Sequence, residues 1–136
     1  MTLLRIASAC ALLLAATTVA PAQAYPSRPV RIIVGNPPGG PVDLIARLMG
    51  QWLSERLGQP IVVESRPGAG TNIGTEAVVK SRPDGFTLLL FNAASAINAT
   101  LYTKLNFNFI RDIVPIAGIT RETLVLQLNP AVPAKT

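Results

Sequence analysis

No histidine occurs anywhere in the 136 residues, and the only cysteine is Cys10. Without imidazole there is no Ser-His-Asp relay and no side chain that titrates near neutrality. With a single thiol close to the N-terminus there is no intrachain disulfide and no Cys/His metal cluster. Aromatic residues are scarce as well, at 5%, and charged ones make up only 14%. The basic residues outnumber the acidic ones, 12 to 7, but apart from Arg5 they are scattered singly from Arg28 to Lys135. Scattered cations without interleaved aromatics argue against a nucleic-acid partner or a membrane surface, while a small positive balance suits an anionic ligand. Carboxylate and lysine chemistry are the catalytic options left open. What is abundant is apolar residues, 49% of the chain, part of which belongs to an N-terminal leader.

That leader reads as a secretory signal. Arg5 supplies the positive end, Ile6 to Ala16 the apolar core, and Pro21-Ala22-Gln23-Ala24 a small-residue cleavage site. A membrane span needs ~20 apolar residues, more than this Thr-interrupted run or any later stretch offers. Cleavage is expected after Ala24, so that Tyr25 begins the mature chain and Cys10 departs with the leader. An exported, cysteine-free protein follows.

Beyond the leader the periodicity alternates between strand and helix. The β-branched run Val30–Val34 predicts a first strand, and Asp43 opens a segment to Leu57 with Leu44, Ile45, Leu48 and Trp52 at helical spacing. Gly58 ends that helix and Ile61–Val63 predicts a second strand. A helix over Ile73–Lys80, the turn Pro83-Asp84-Gly85 and a strand over Thr87–Phe91 repeat the pattern. A short helix over Ala93–Tyr102 and strands over Ile113–Ile119 and Leu124–Leu128 complete the reading, and Pro130 and Pro133 mark an exposed connection. Strands joined by crossover helices predict a parallel α/β sheet. Asp43 is expected to cap its helix, Trp52 with Leu48 and Met49 to lie in the core, and Glu64 and Asp84 to cap turns. Asn98-Ala99-Thr100 matches a glycosylation acceptor.

In such a sheet, ligands gather beyond the carboxyl ends of the strands. Three loops belong there: Gly35 to Gly40, Gly68 to Gly74, and Asn92 to Ser95. The first has phosphate-loop glycine spacing, but Pro41-Val42 stand where Lys and Ser or Thr are required. The second resembles a dinucleotide fingerprint, yet no acidic residue follows the next strand, where Asn92 stands. Tight turns alone would explain each glycine. As a pair, two glycine-rich loops opening neighbouring helices form a trap for a carboxylate.

Four ordered motifs narrow the class. Tyr25-Pro26-Ser27-Arg28-Pro29, Pro38-Gly39-Gly40-Pro41-Val42-Asp43, Arg66-Pro67-Gly68-Ala69-Gly70-Thr71-Asn72-Ile73-Gly74 and Pro83-Asp84-Gly85-Phe86 resemble the substrate-binding receptors of tripartite tricarboxylate transporters, the Bug receptors. The resemblance implies a type II-like periplasmic-binding-protein fold: two α/β lobes that close like a flytrap on a small carboxylated molecule and deliver it to membrane permease subunits. It implies a ligand loop at Pro38, Gly39, Gly40 and Asp43, a second at Gly68, Gly70, Asn72 and Gly74, and contributions from Ser95 and Asn98. No catalytic residue, metal or cofactor is implied. Residues 25–128 are expected to be the first lobe and 129–136 the start of a connection to a second. The chain then reads as a truncated N-terminal part of such a receptor. An inactive remnant and an exported α/β enzyme are the alternatives.

Overall fold

A computed structural model describes residues 24–121, 123, 125, 127–129, 131 and 132. The expected leader therefore lies outside the described residues, apart from Ala24. Three parallel strands form the centre: β1 (Val30–Val34), β2 (Ile61–Ser65) and β3 (Thr87–Leu90), in the order β2-β1-β3. Val30 pairs with Ile61 and Arg31 with Thr87, which sets β1 between its neighbours in register. Its position explains its composition. Val30, Ile32, Ile33 and Val34 are all buried, as both faces of a central parallel strand must be.

The helices are α1 (Pro41–Leu57), α2 (Asn72–Val79), α3 (Ala93–Leu101) and the single turn α4 (Phe109–Asp112), with a 3-10 turn over Ala69–Thr71 leading into α2. The chain steps from β1 to β2 in one direction and from β2 past β1 to β3 in the other. Right-handed crossovers then place α1 and α2 on opposite faces of the sheet. In keeping with this, α1 packs on β2 and β1, while α2 packs on β1 and β3.

α1 begins two residues earlier than its apolar periodicity indicates, because Pro41 is accommodated at the first helical position and Gly40 becomes the cap. It ends where Gly58 turns left-handed at φ 67° and its amide returns to the carbonyl of Ser54 at 3.0 Å. Its packed face is small. Ala46 is fully buried, and a side chain on Gly50 would stand 3.3 Å from a methyl of Val63, so this face lets the helix lie close to β2. Ser54 adds a stitch, donating to the carbonyl of Gly50 and accepting from the amide of Ile61.

The consequence corrects the expected core. Leu44, Leu48 and Trp52 are 58%, 61% and 54% exposed, on the stripe turned away from the sheet. Arg56 covers part of the indole face, 4.7 Å from its centroid. Large apolar side chains define the hydrophobic signal of this helix, but the close approach to the sheet selects the small ones.

Other expectations shift by local chemistry. Glu64 caps no turn; it extends β2 and pairs with Arg31 and Arg66. Asp84 does cap its turn, accepting from the amide of Phe86 at 3.0 Å and pairing with Arg28. The N-terminal arm is fastened there too, since the Tyr25 hydroxyl donates to the carbonyl of Gly85 at 2.6 Å and its ring packs on Phe86. The strand expected over Ile113–Ile119 is not formed: residues 113–121 have no regular structure, and Val114 and Ile116 are exposed. Parts of the stretch expected as a strand over Leu124–Leu128 lie outside the described residues, and residues 125, 127 and 128 carry no strand. α4 was not legible in the sequence; Asn108 caps it by accepting from the amides of Ile110 and Arg111.

Candidate functional site

Because all three strands run parallel, the loops that follow them emerge on one edge of the sheet. There they touch. A side chain built on Gly35 would meet Thr71 at 2.7 Å, and one on Gly74 would meet the Cα of Gly35 at 2.8 Å. The first and second loops are thus in backbone contact at their bases. The third joins through α3: Ser95 and Thr71 share a hydroxyl hydrogen bond of 2.8 Å, and Asn98 donates to the carbonyl of Gly70 and, at 3.0 Å, to Asn72.

The expected site residues divide into groups. Pro38 and Gly39 are exposed on the first loop, Gly40 is half-buried, and Asp43 is buried beneath them. Gly39 has φ 81° and Gly68 and Gly70 have φ 130° and 62°, left-handed conformations that favour glycine and shape both loops. Gly68 and Gly70 are exposed, whereas Asn72, Gly74, Ser95 and Asn98 are buried. Asn72, Ser95 and Asn98 direct their hydrogen bonds inward, bracing the second loop. Thr71 belongs to this brace and escaped sequence reading. At φ 84° it holds a left-handed conformation unusual for a β-branched residue, over-determined here by its contacts with Ser95 and Thr75. Asn98 is buried on α3, so the glycosylation triplet is not displayed on a loop.

Asp43 sits at the third position of α1 rather than at its cap. Its carboxylate reaches back to accept the amide of Gly39 at 2.9 Å, receives Arg47 through two nitrogens at 2.9 and 3.1 Å, and accepts the Ser65 hydroxyl at 2.7 Å. This one side chain therefore ties the first loop to α1 and to the end of β2. The Arg47 partner is signalled by acid–base spacing of four along a helix; Ser65 has no sequence signal. Donors from Arg47, Gly39 and Ser65 hold the Asp43 carboxyl well below the usual carboxylate range.

A stability consequence follows from that shift. Its folded value is depressed, so the contribution is complete above the unfolded-chain value of about 4 and is lost as pH falls through the folded one. Asp43→Ala is expected to lower the thermal midpoint at pH 7 by roughly 4–8 °C and to flatten the acid limb of the stability profile. Melting curves between neutral pH and pH 3 check it. Equal slopes for both proteins would show that the network carries no stability.

One cavity, of about 410 Å³, lies at this edge, where α1 and the end of β3 diverge. Pro41, Val42 and Ile45 form one wall, Leu89 to Ala93 a second, and Ala117 to Arg121 a third. It lies between the helix start that follows β1 and the end of β3, beyond the carboxyl ends of these neighbouring strands. None of the expected site residues lines it. They form the neighbouring loops instead.

Fold and site together define a parallel α/β lobe of the solute-binding-protein kind. A family model described as the tripartite tricarboxylate transporter family receptor matches residues 45–136. Protein BugT of Bordetella pertussis is 42% identical over 111 residues, which cover 80% of this chain and 34% of that one. A UPF0065 protein of the same organism is 41% identical over 133 residues, covering 97% of this chain and 41% of its own. Among solved structures, MatC from Rhodopseudomonas palustris with bound malate is similar at a TM-score of 0.57 and 33% identity, over 65% of this chain and 30% of that one. A TctC solute-binding protein from Polaromonas without ligand is similar at a TM-score of 0.53 and 31% identity, over 60% of this chain and 29% of that one. The chain belongs to the tripartite tricarboxylate transporter receptor family. It spans 34% and 41% of the lengths of the two curated relatives named.

Proposed function

We propose that this chain supplies the ligand-binding face of an extracytoplasmic solute receptor, which captures a small carboxylated organic molecule for a transporter of the tripartite tricarboxylate type. The observation that carries this reading is the convergence of two glycine-shaped loops and helix starts on one sheet edge. First-turn amides of a helix lack intrahelical acceptors and carry the positive end of its dipole, so such an edge favours an anion. Asn36 adds an acceptor: its Oδ1 is buried in the first loop with no partner among the described residues, so it can take a hydrogen bond from a hydroxyl of the ligand. The malate held by MatC is a ligand of this chemistry.

In this proposal residues 1–24 are an export signal, 25–128 the first lobe and 129–136 the start of a connection. The membrane permease subunits are the receptor's partners. Among the described residues no helix is long and apolar enough to cross a membrane. Pro38, Gly39, Gly40, Gly68 and Gly70 are the proposed contact residues, with Asp43, Asn72, Gly74, Ser95 and Asn98 holding their loops. Titration of isotope-labelled protein with L-malate tests this. Amide shifts should concentrate on Gly39, Gly40, Gly68 and Gly70; shifts confined to another face, or none, would refute the assignment.

A further inference from the structure

The cavity beside these loops has a chemistry of its own. Its volume, about 410 Å³, falls within the range of small-molecule pockets, roughly 300–1,000 Å³. Val42, Ile45 and Ala117 give it apolar walls, and Phe91 adds an aromatic one. The Phe91 ring is held edge-on by Phe109, with centroids 5.0 Å apart and planes at 81°, so that wall is set in orientation. At the polar rim stand Asn92 and Arg121, the latter being the one cationic residue of the lining among the described residues. Asn92 uses its Oδ1 to cap α3, accepting from the amide of Ala94, and that cap leaves its NH2 group unused. The starts of α1 and α3, at Pro41 and Ala93, both border the same space.

We infer that this cavity binds an organic acid by its apolar body, with the carboxylate at the rim between Arg121 and Asn92. The inference rests on the receptor reading, and it adds beside the glycine loops a second, more apolar place for an organic acid. A guanidinium and a carboxamide suit one carboxylate, while apolar and aromatic walls offer nothing to the further charges and hydroxyls of a tricarboxylate. The class favoured is therefore a monocarboxylate with an aromatic or short aliphatic body. Arg121 sets the preference for acid over amide, and Phe91 with Val42 and Ile45 sets the preference for an apolar body.

The test uses benzoate and hexanoate, the corresponding neutral amides, and L-malate, measured by calorimetry and ligand-observed NMR on the purified protein. Benzoate is expected to bind more tightly than benzamide. Arg121→Gln should weaken benzoate about tenfold while leaving benzamide unchanged, and Arg121→Lys should restore part of the difference. Ala117→Phe, which fills the cavity, should exclude both. Arg121 is exposed, so Arg121→Gln is expected to melt as the parent does and remains decisive if Ala117→Phe does not fold. Binding of L-malate at the glycine loops together with indifference of benzoate to Arg121→Gln would overturn the cavity assignment and leave the receptor reading standing. Silence of every carboxylate at millimolar concentration would overturn both.

Discussion

Gly74→Val is expected to unfold the lobe, or to cost about 3 kcal/mol or more where a folded population survives. Gly74 lies in the first turn of α2, at the point where that helix crosses the carboxyl end of β1. A Cβ there would stand 2.8 Å from the Cα of Gly35 and 3.1 Å from the carbonyl oxygen of Arg66. Both are backbone atoms, so no rotamer change relieves the clash. The helix would have to lift from the sheet, taking with it the contact between the two glycine loops and the buried Thr75. Total stabilities of ~5–15 kcal/mol leave little margin for such a loss. Gly118→Ala is the control, since nothing lies within 4 Å of a Cβ at Gly118 and its φ is not positive. Chemical denaturation of both variants decides the point. A Gly74→Val protein with parental stability would mean that α2 does not approach β1 this closely.

The contact of Gly74 with Gly35 shows what was legible in the sequence. Gly68, Gly70 and Gly74 resemble a dinucleotide fingerprint without its acidic partner, and the structure retains the physical role of the last glycine, close helix-to-strand packing. The three strands and first three helices were readable because β-branched runs and turn residues alternate strongly, and their ends shifted by only one or two residues. The outward face of α1 was not. Hydrophobic periodicity picks out Leu44, Leu48 and Trp52, whereas Ala46 and Gly50 are what the sheet accepts. Residues 113–121 differ for another reason: an apolar run becomes a strand only beside a partner, and among the described residues it has none.

Within the site, glycines were legible and the side chains that hold them were only partly so. Gly39, Gly68 and Gly70 adopt conformations that announce themselves by residue type. Asp43 has the residue type of a helix cap, yet Pro41 fixes the helix start ahead of it, and its carboxylate works backward onto Gly39 and across to Ser65. Resemblance assigns Ser95 and Asn98 to the ligand, while their observed bonds run to Thr71, Gly70 and Asn72. Contacts between residues more than twenty positions apart carry no local signature. The cavity at Arg121 is of the same kind, since its walls come from three separated stretches of chain.

L-malate is expected to bind this 136-residue chain about a hundredfold or more weakly than it binds MatC. The difference comes from burial rather than from the loops themselves. Tight pockets enclose roughly 70–90% of a ligand's surface, as a general rule. Here Pro38, Gly39, Gly68 and Gly70 are exposed, so a molecule resting on them keeps much of its surface in water. At the proposed site the carboxylate would meet helix-terminal amides, but in high dielectric each such contact is screened and contributes little. Closing the site from the opposite side would remove that water and strengthen every polar contact already made. Calorimetric titration of both proteins at one ionic strength measures the ratio. The expectation further requires that adding salt weaken the binding to this chain, since the attraction is electrostatic and open to solvent. Micromolar or tighter malate affinity for the chain alone, insensitive to salt, would show instead that the glycine loops enclose their ligand by themselves.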